Sequence, residues 1–217
     1  MAFKKERSNL VKNLEIQDYI KSARVKRVML KAPRELFVSL KYYNDAYLDE
    51  PLPIPGGQTI SAPHMHVITL SELHLKPNDK VLEVGSGSGI LLAYIRELVG
   101  EKGKVVGIEI NKETYSFAKD NLKKAGYNDV ILIHGDGSKG YPKHAPYDKI
   151  VVSAASPDIP KPITEQLKTS GVLLITIGSP FGDQHLIKVK KTKTGELIKK
   201  ELLPVVFVPL RGKYGWK

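Results

Sequence analysis

The segment around Lys80–Gly89 constrains the fold more than any other part of the chain. A short apolar run, Val81–Val84, ends in Gly85-Ser86-Gly87-Ser88-Gly89 and passes into an apolar helical stretch through Leu98. The strand, turn, helix order then recurs. Val105–Glu109 reads as a second strand and Lys112–Ala125 as a helix. Val130–Ile133 reads as a third strand leading into Gly135-Asp136-Gly137, Lys149–Ser153 as a fourth and Val172–Ile177 as a fifth. Apolar strands alternating with amphipathic helices build a largely parallel sheet with helices on both faces. The tail changes character. Leu186–Lys191 and Leu202–Leu210 flank Lys193-Thr194-Gly195-Glu196, which reads as a hairpin joining two antiparallel strands. The expectation is a doubly wound, largely parallel seven-stranded α/β sheet that closes on antiparallel strands.

Ahead of this core, residues 8–31 look helical, with Leu10, Val11 and Leu14, then Val25, Val28 and Met29, at spacings of three and four. Pro33 opens a short second helical turn carrying Leu36, Phe37 and Leu40. Tyr43 to Pro63 reads as irregular, with Pro51, Pro53, Pro55, Gly56 and Gly57. An irregular stretch this long inside a compact domain is usually functional or disordered, and Gln58-Thr59-Ile60-Ser61 is too specific for a linker. From Pro63 a helix carrying Val67, Ile68, Leu70 and Leu73 ends before Pro77.

Composition removes several function classes. The 217 residues include no cysteine, which excludes a disulfide scaffold, cysteine-ligated zinc, iron–sulfur clusters and a thiol nucleophile. No apolar run approaches the roughly 20 residues of a membrane span. The charged N-terminal segment lacks the apolar centre of a secretory signal, so a cytoplasmic location is expected. Lys and Arg number 34 against 23 Asp and Glu, a net charge of +11. The excess sits at the ends: residues 1–40 carry ten basic against four acidic side chains, residues 186–217 nine against two, and the middle fifteen against seventeen. That pattern suits either attraction to nucleic acid or acidic protein, or a Lys-rich solvated surface. The lack of interleaved aromatics favours the surface.

In an open α/β sheet the ligand lies beyond the carboxyl ends of the strands, and three features fall there. The Glu83-Val84-Gly85 turn lets the backbone bend sharply and approach a ligand closely. Glu109, twenty residues past Gly89, ends the second strand, where an acid can accept from the two hydroxyls of a ribose. Asp136 follows the third strand and is placed to accept from an exocyclic amine such as that of adenine. A dinucleotide site wants G-x-G-x-x-G with pyrophosphate on the helix end; this chain has G-x-G-x-G preceded by an acid, and no Walker lysine follows. Glu83 would repel phosphate but could hold a cationic amino group. Adenosine, ribose and an amino acid without phosphate describe S-adenosylmethionine. His64 and His66 have no third ligand at metal spacing, so no metal site is expected.

The chain resembles the protein-L-isoaspartate O-methyltransferases from about Pro33 to Leu210. The residues carrying the resemblance are Pro33-Arg34-Glu35-Leu36-Phe37-Val38, Ala46-Tyr47-Leu48-Asp49, Gly57-Gln58-Thr59-Ile60-Ser61-Ala62-Pro63-His64-Met65 and the Val81–Gly89 strand and turn. Gly135-Asp136-Gly137, Ala145-Pro146-Tyr147-Asp148, Gln166-Leu167 and Val208-Pro209-Leu210 extend it. The glycine turn is shared by many methyltransferases; the Q-T-I-S-x-P-H-M segment is particular to this family. Thr169-Ser170-Gly171 replaces the more usual Pro-Gly-Gly, an exchange expected to alter only a turn.

The resemblance implies a Rossmann-like methyltransferase sheet and transfer of a methyl group from S-adenosylmethionine to the α-carboxyl of L-isoaspartyl residues, leaving S-adenosylhomocysteine. It implies Ser61 as the active-site serine. It also implies Gln58, Thr59, Ile60, Ser61, His66, Ser88, Glu109, Asp136 and Gly137 as cofactor contacts, with Glu83 and Gly85 lining the same turn. Residues 1–217 then form a single domain, in which 1–78 supply a helical extension and substrate loop and 79–217 the cofactor-binding core with its C-terminal hairpin. The expected partners are isoaspartyl proteins and peptides, with neither nucleic acid nor membrane. Two other readings stay open: an RNA methyltransferase on the same fold, which would need a base-stacking or base-deprotonating motif, and a non-catalytic S-adenosylmethionine-binding module. Ser61 itself has a second reading, as the cap of the helix opening at Pro63.

Overall fold

The computed structural model describes residues 3–217. Two helices, α1 (Lys4–Ile16) and α2 (Ala23–Lys31), come first, where the spacing predicts a single helical stretch. The apolar rhythm breaks after Leu14, and Asp18 turns left-handed (φ 61°) while the N–H groups of Tyr19 and Ile20 both donate to the Leu14 carbonyl. After a 3-10 turn at Arg34–Phe37, the stretch expected to be irregular contains a small antiparallel hairpin, β1 (Leu52–Ile54) with β2 (Gln58–Ile60). Its tip needs glycine: a Cβ at Gly56, whose φ is +80°, would stand 2.5 Å from the side chains of Asn111 and Thr114. The helix expected at Pro63 is α3 (Pro63–Leu73).

The core then follows the expected order: β3 (Lys80–Val84), α4 (Ile90–Val99), β4 (Lys104–Glu109), α5 (Lys112–Lys124), β5 (Ile131–His134), β6 (Tyr147–Ser156), α6 (Lys161–Glu165), β7 (Leu167–Ser179), β8 (Gly182–Lys191) and β9 (Leu197–Val205). The last seven strands form one sheet in the order β5-β4-β3-β6-β7-β8-β9. The pairs from β5 to β7 are parallel, whereas β8 and β9 each pair antiparallel to the strand before. Ser170, in the segment where the chain departs from the resemblance, is left-handed (φ 63°) and lies in a register shift between β6 and β7.

Strand alternation sorts the core into two layers. Val81, Val105, Val151 and Leu174 join α1 to α4 and the β1–β2 hairpin on one face. Leu82, Val84, Val106, Ile108, Ile150 and Val152 build the other. That second face has a thinner cover of α6 and two 3-10 turns, because Gly137, Gly140, Pro142, Pro157, Pro160 and Pro162 leave no room for long helices. The final strand ends earlier than expected. Past Val205 the chain leaves the sheet, and the Val208 carbonyl and Leu210 N–H pair with Ala155 instead. No helix among the described residues is long and apolar enough to cross a membrane.

Candidate active site

From β3 the chain builds β4 and β5 on one side, then returns to add β6 and β7 on the other, so β3 and β6 adjoin at the switch point of the sheet. Three adjoining spaces open at the carboxyl ends of these strands. A cleft of about 510 Å³ is lined by Gln58, Thr59, Gly85, Gly87, Glu109, Gly137 and Ser153 among others. A small cavity of about 40 Å³ is bounded by Ile60, Ser61, His66, Glu83 and Ser88. A groove of about 320 Å³ runs between Tyr19, Ser61 and Met65 on one wall and Leu203 to Val208 on the other. Thr59 and Ser153 line all three.

The glycine turn is held by a carboxylate. Glu109, at the end of β4 and almost wholly buried, accepts the Gly87 N–H at Oε2 (3.0 Å) and the Asn111 N–H at Oε1 (2.9 Å). Burial pushes its carboxyl upward, opposed by these two N–H groups and that of Ile110. Glu109 also lines the cleft.

Glu83 occupies the same face of the sheet as Val81, so its side chain enters the helical layer rather than solvent. It is 2% exposed. Ser153, on the neighbouring β6, donates its hydroxyl to Oε1 at 3.1 Å, and Oε2 has no partner. Burial raises the Glu83 pKa well above the usual glutamate value; the Ser153 hydrogen bond opposes this and nearby Glu109 adds to it. A buried acid with one bare oxygen on a cavity wall can accept a further donor.

Ser61 ends the chain's passage out of β2. The structure removes the capping role for its hydroxyl: the N-cap of α3 is Ala62, and no side chain caps that helix. The Ser61 carbonyl instead accepts from Arg34 Nη2 at 2.9 Å. The β1–β2 hairpin that carries Gln58, Thr59 and Ile60 is tied to the start of α5, where Thr114 donates to the Pro55 carbonyl (2.8 Å) and Asn111 to that of Gly56 (3.2 Å). His66, one turn into α3, is buried; burial, then the charges of Arg34 and His64, push its pKa well down, so the ring is neutral.

Asp136 differs from the expectation of an open acceptor. It does not line the cleft, although Gly137 does. Its Oδ1 accepts the Ser138 N–H (3.0 Å) and hydroxyl (2.6 Å), and its Oδ2 accepts the Lys213 N–H (3.0 Å), with Lys139 Nζ 3.5 Å away. Burial pushes the Asp136 carboxyl up, yet these donors hold it below the usual carboxylate range. The carboxylate therefore fastens the C-terminal tail to the rim of the cleft. No group of three or more metal-ligating side chains occurs among the described residues.

The model of the protein-L-isoaspartate(D-aspartate) O-methyltransferase family matches residues 5–215. The chain belongs to that family. A protein-L-isoaspartate O-methyltransferase of Pyrococcus horikoshii is 51% identical over 95% of this chain and 93% of its own length. Protein-L-isoaspartate O-methyltransferase 2 of Archaeoglobus fulgidus is 50% identical over 100% and 98%. A Plasmodium falciparum structure described as a β-aspartate methyltransferase in complex with S-adenosyl-L-homocysteine superposes with a TM-score of 0.84 at 29% identity, covering 94% of this chain and 97% of that one.

Within this O-methyltransferase family member, several residues of the site escape a reading of the sequence. Ser153 could have been found, since it stands at the carboxyl end of a parallel strand. Gln184 had no signal. Buried in β8, it accepts the Phe207 N–H at 2.6 Å and donates to the Phe207 carbonyl at 3.2 Å, fixing the wall shared by cavity and groove. Arg34 reaches the backbone carbonyls of a distant segment with its side chain, and Lys213 reaches the Asp136 carboxylate with its own backbone N–H; no local pattern records either.

Proposed function

We propose that this protein is a repair methyltransferase that moves the methyl group of S-adenosylmethionine to the α-carboxyl of L-isoaspartyl residues in damaged proteins. The observation that carries the reading is the bare Oε2 of buried Glu83, set between the glycine turn and Ser61. Family membership supplies the reaction class; Glu83 supplies the fit, because a buried carboxylate oxygen without a donor suits the α-ammonium of an amino acid. Glu109 suits the ribose: its carboxylate lines the cleft and can accept from a ribose hydroxyl while retaining the N–H groups of Gly87 and Asn111. Gly137 and Gln58 border the same cleft, where the adenine would lie.

S-adenosylmethionine supplies a methyl group already activated on a sulfonium. The chain's own residues have little acid–base work to do, since a free carboxylate with a pKa of about 3 to 4 is ionised at neutral pH. No general base is needed, and neutral His66 is not asked to be one. Carboxylate and sulfonium lose their charges as the ester forms, so a cavity walled by Val151, Leu186 and Phe207 favours the reaction by withholding water from the charged reactants. The Ser61 hydroxyl, free of any capping duty, can donate to one carboxylate oxygen and aim the other; such alignment is worth several kcal/mol. The groove beyond Ser61 would take the polypeptide on either side of the damaged residue. A backbone amide nitrogen then attacks the ester carbonyl without enzymatic help, closing a succinimide and releasing methanol, and hydrolysis of that ring opens a route back to normal aspartate.

Methyl transfer to an isoaspartyl peptide, compared with its aspartyl twin and with RNA, tests the reading. Turnover of the isoaspartyl peptide alone is expected. Methylation of RNA, or of neither peptide, would overturn it.

A further inference from the structure

Arg34 is wholly buried, and among the described residues it forms no ion pair. A cation in that position needs a reason, because burying charge without a counter-ion is costly. Its donors are spent on the active-site loop instead. Nε donates to the Ala46 carbonyl at 2.8 Å and Nη2 to the Ser61 carbonyl at 2.9 Å. These two carbonyls bracket the segment that contains the β1–β2 hairpin, so one guanidinium closes the neck of that segment. The planar fork matters here, since its donors point in fixed directions. The third arm, Nη1, faces His66 Nδ1 at 3.5 Å.

We propose, on the reading of the site given above, that Arg34 is a positioning residue for methyl transfer: from behind the cavity it fixes the peptide that carries Ser61 and holds the His66 ring with Nδ1 as acceptor. Arg34 touches neither reactant and moves no proton. Arginine can only donate, so the nitrogen facing it must offer a lone pair, and the proton of neutral His66 resides on Nε2. His66 lines the cavity, and Nε2–H is the donor left for it. Besides Arg34, the groups around this ring are His64 and the edge-on Tyr94, which Arg34 also approaches; neither supplies a carboxylate that could draw the proton to Nδ1.

The first test is made on the unsubstituted 217-residue chain, with or without activity. A long-range 1H–15N spectrum at neutral pH is expected to show His66 as the Nε2–H tautomer. A proton on Nδ1, or an imidazolium at that pH, would overturn the arrangement. The second test uses Arg34→Lys, which keeps the charge but loses the fork. Turnover per folded molecule at saturating isoaspartyl peptide is expected to fall at least about tenfold, while S-adenosylhomocysteine affinity stays within about threefold. Placed on Ser61→Ala, the same substitution should cost little more, because both losses remove one alignment. Full turnover in Arg34→Lys, or losses that multiply in the double variant, would leave Arg34 a structural cation and overturn the proposal. If Arg34→Lys does not fold, the tautomer decides alone. If the wild-type chain itself methylates no isoaspartyl peptide, the functional reading fails and the proposal with it, a result distinct from a wrong tautomer in an active enzyme.

Discussion

Ser153 donates its hydroxyl to Oε1 of Glu83 at 3.1 Å across two adjacent parallel strands and leaves Oε2 with no donor. The sheet thus satisfies half of a buried carboxylate at its switch point. A protein without a ligand for that spot would gain by making the group neutral or apolar. An unmet carboxylate oxygen at that spot would favour a cation over a phosphate.

Glu83 should make that cost visible as a pH dependence. Its folded pKa lies well above the usual value of 4.5, so on unfolding the side chain sheds a proton across the interval between the two. The favourable contribution is complete below the unfolded pKa and is lost as pH rises through the folded one. At neutral pH, Glu83→Gln is therefore expected to raise the melting temperature of the ligand-free chain. The same change should weaken S-adenosylhomocysteine binding by about 1–3 kcal/mol, the size of a lost charged hydrogen bond. Scanning calorimetry and titration calorimetry on one preparation check both signs. Unchanged affinity would make Glu83 a strained core acid with no part in binding.

Glu109 combines two duties, and its removal should show both. In Glu109→Ala the N–H groups of Gly87 and Asn111 lose their acceptor, so the ligand-free chain is expected to melt earlier. Binding of S-adenosylhomocysteine should weaken by about 1–3 kcal/mol. If stability drops while affinity per folded molecule holds, the ribose assignment fails and Glu109 only staples the turn.

Gly212 tests the tail. A Cβ there would stand 2.0 Å from Asp136 Oδ1 and 2.8 Å from the Ser138 hydroxyl, on a backbone with φ +125°. Gly212→Ala is expected to free the segment after Leu210, seen as faster amide exchange at Lys213 and Tyr214, while the sheet keeps its protection. Unaltered exchange at both amides would show that Asp136 does not hold the tail.

The sheet was legible because its strands are short apolar runs closed by glycine or an acid, and period-2 burial leaves little freedom in which face Val81 or Leu82 takes. The places of Glu83 and Glu109 near their strand ends were legible for the same reason: position along a strand fixes where a side chain can go. The helix break at Asp18 was not, since a left-handed residue costs little and leaves only a phase slip between Leu14 and Val25. The β1–β2 hairpin was hidden by its prolines, which suppress strand propensity even where the register is held from outside by Thr114 and Asn111. The surroundings of Asp136 were hidden in a different way. It follows β5 as expected, but a tail 77 positions away reaches the carboxylate, and pairing across such a distance leaves no local mark.

Ser61 brings the geometry and the chemistry to one hydroxyl. Since the N-cap of α3 is Ala62 and no side chain caps that helix, Ser61→Ala removes no helix cap and should leave the melting temperature within about 0.5 kcal/mol of the wild type in stability. The cofactor should bind normally, because Glu83, Glu109 and the glycine turn are untouched. Methyl transfer to an isoaspartyl peptide is nonetheless expected to slow at least about tenfold, or about 1.4 kcal/mol, within the range of one hydrogen bond to a charged group. The loss should fall on turnover at saturating peptide, as expected for an interaction that matters most in the transition state. Turnover, melting temperature and S-adenosylhomocysteine affinity measured on the same preparation separate the possibilities. Undiminished turnover would remove Ser61 from the reaction and leave the groove without an aligning group on that wall.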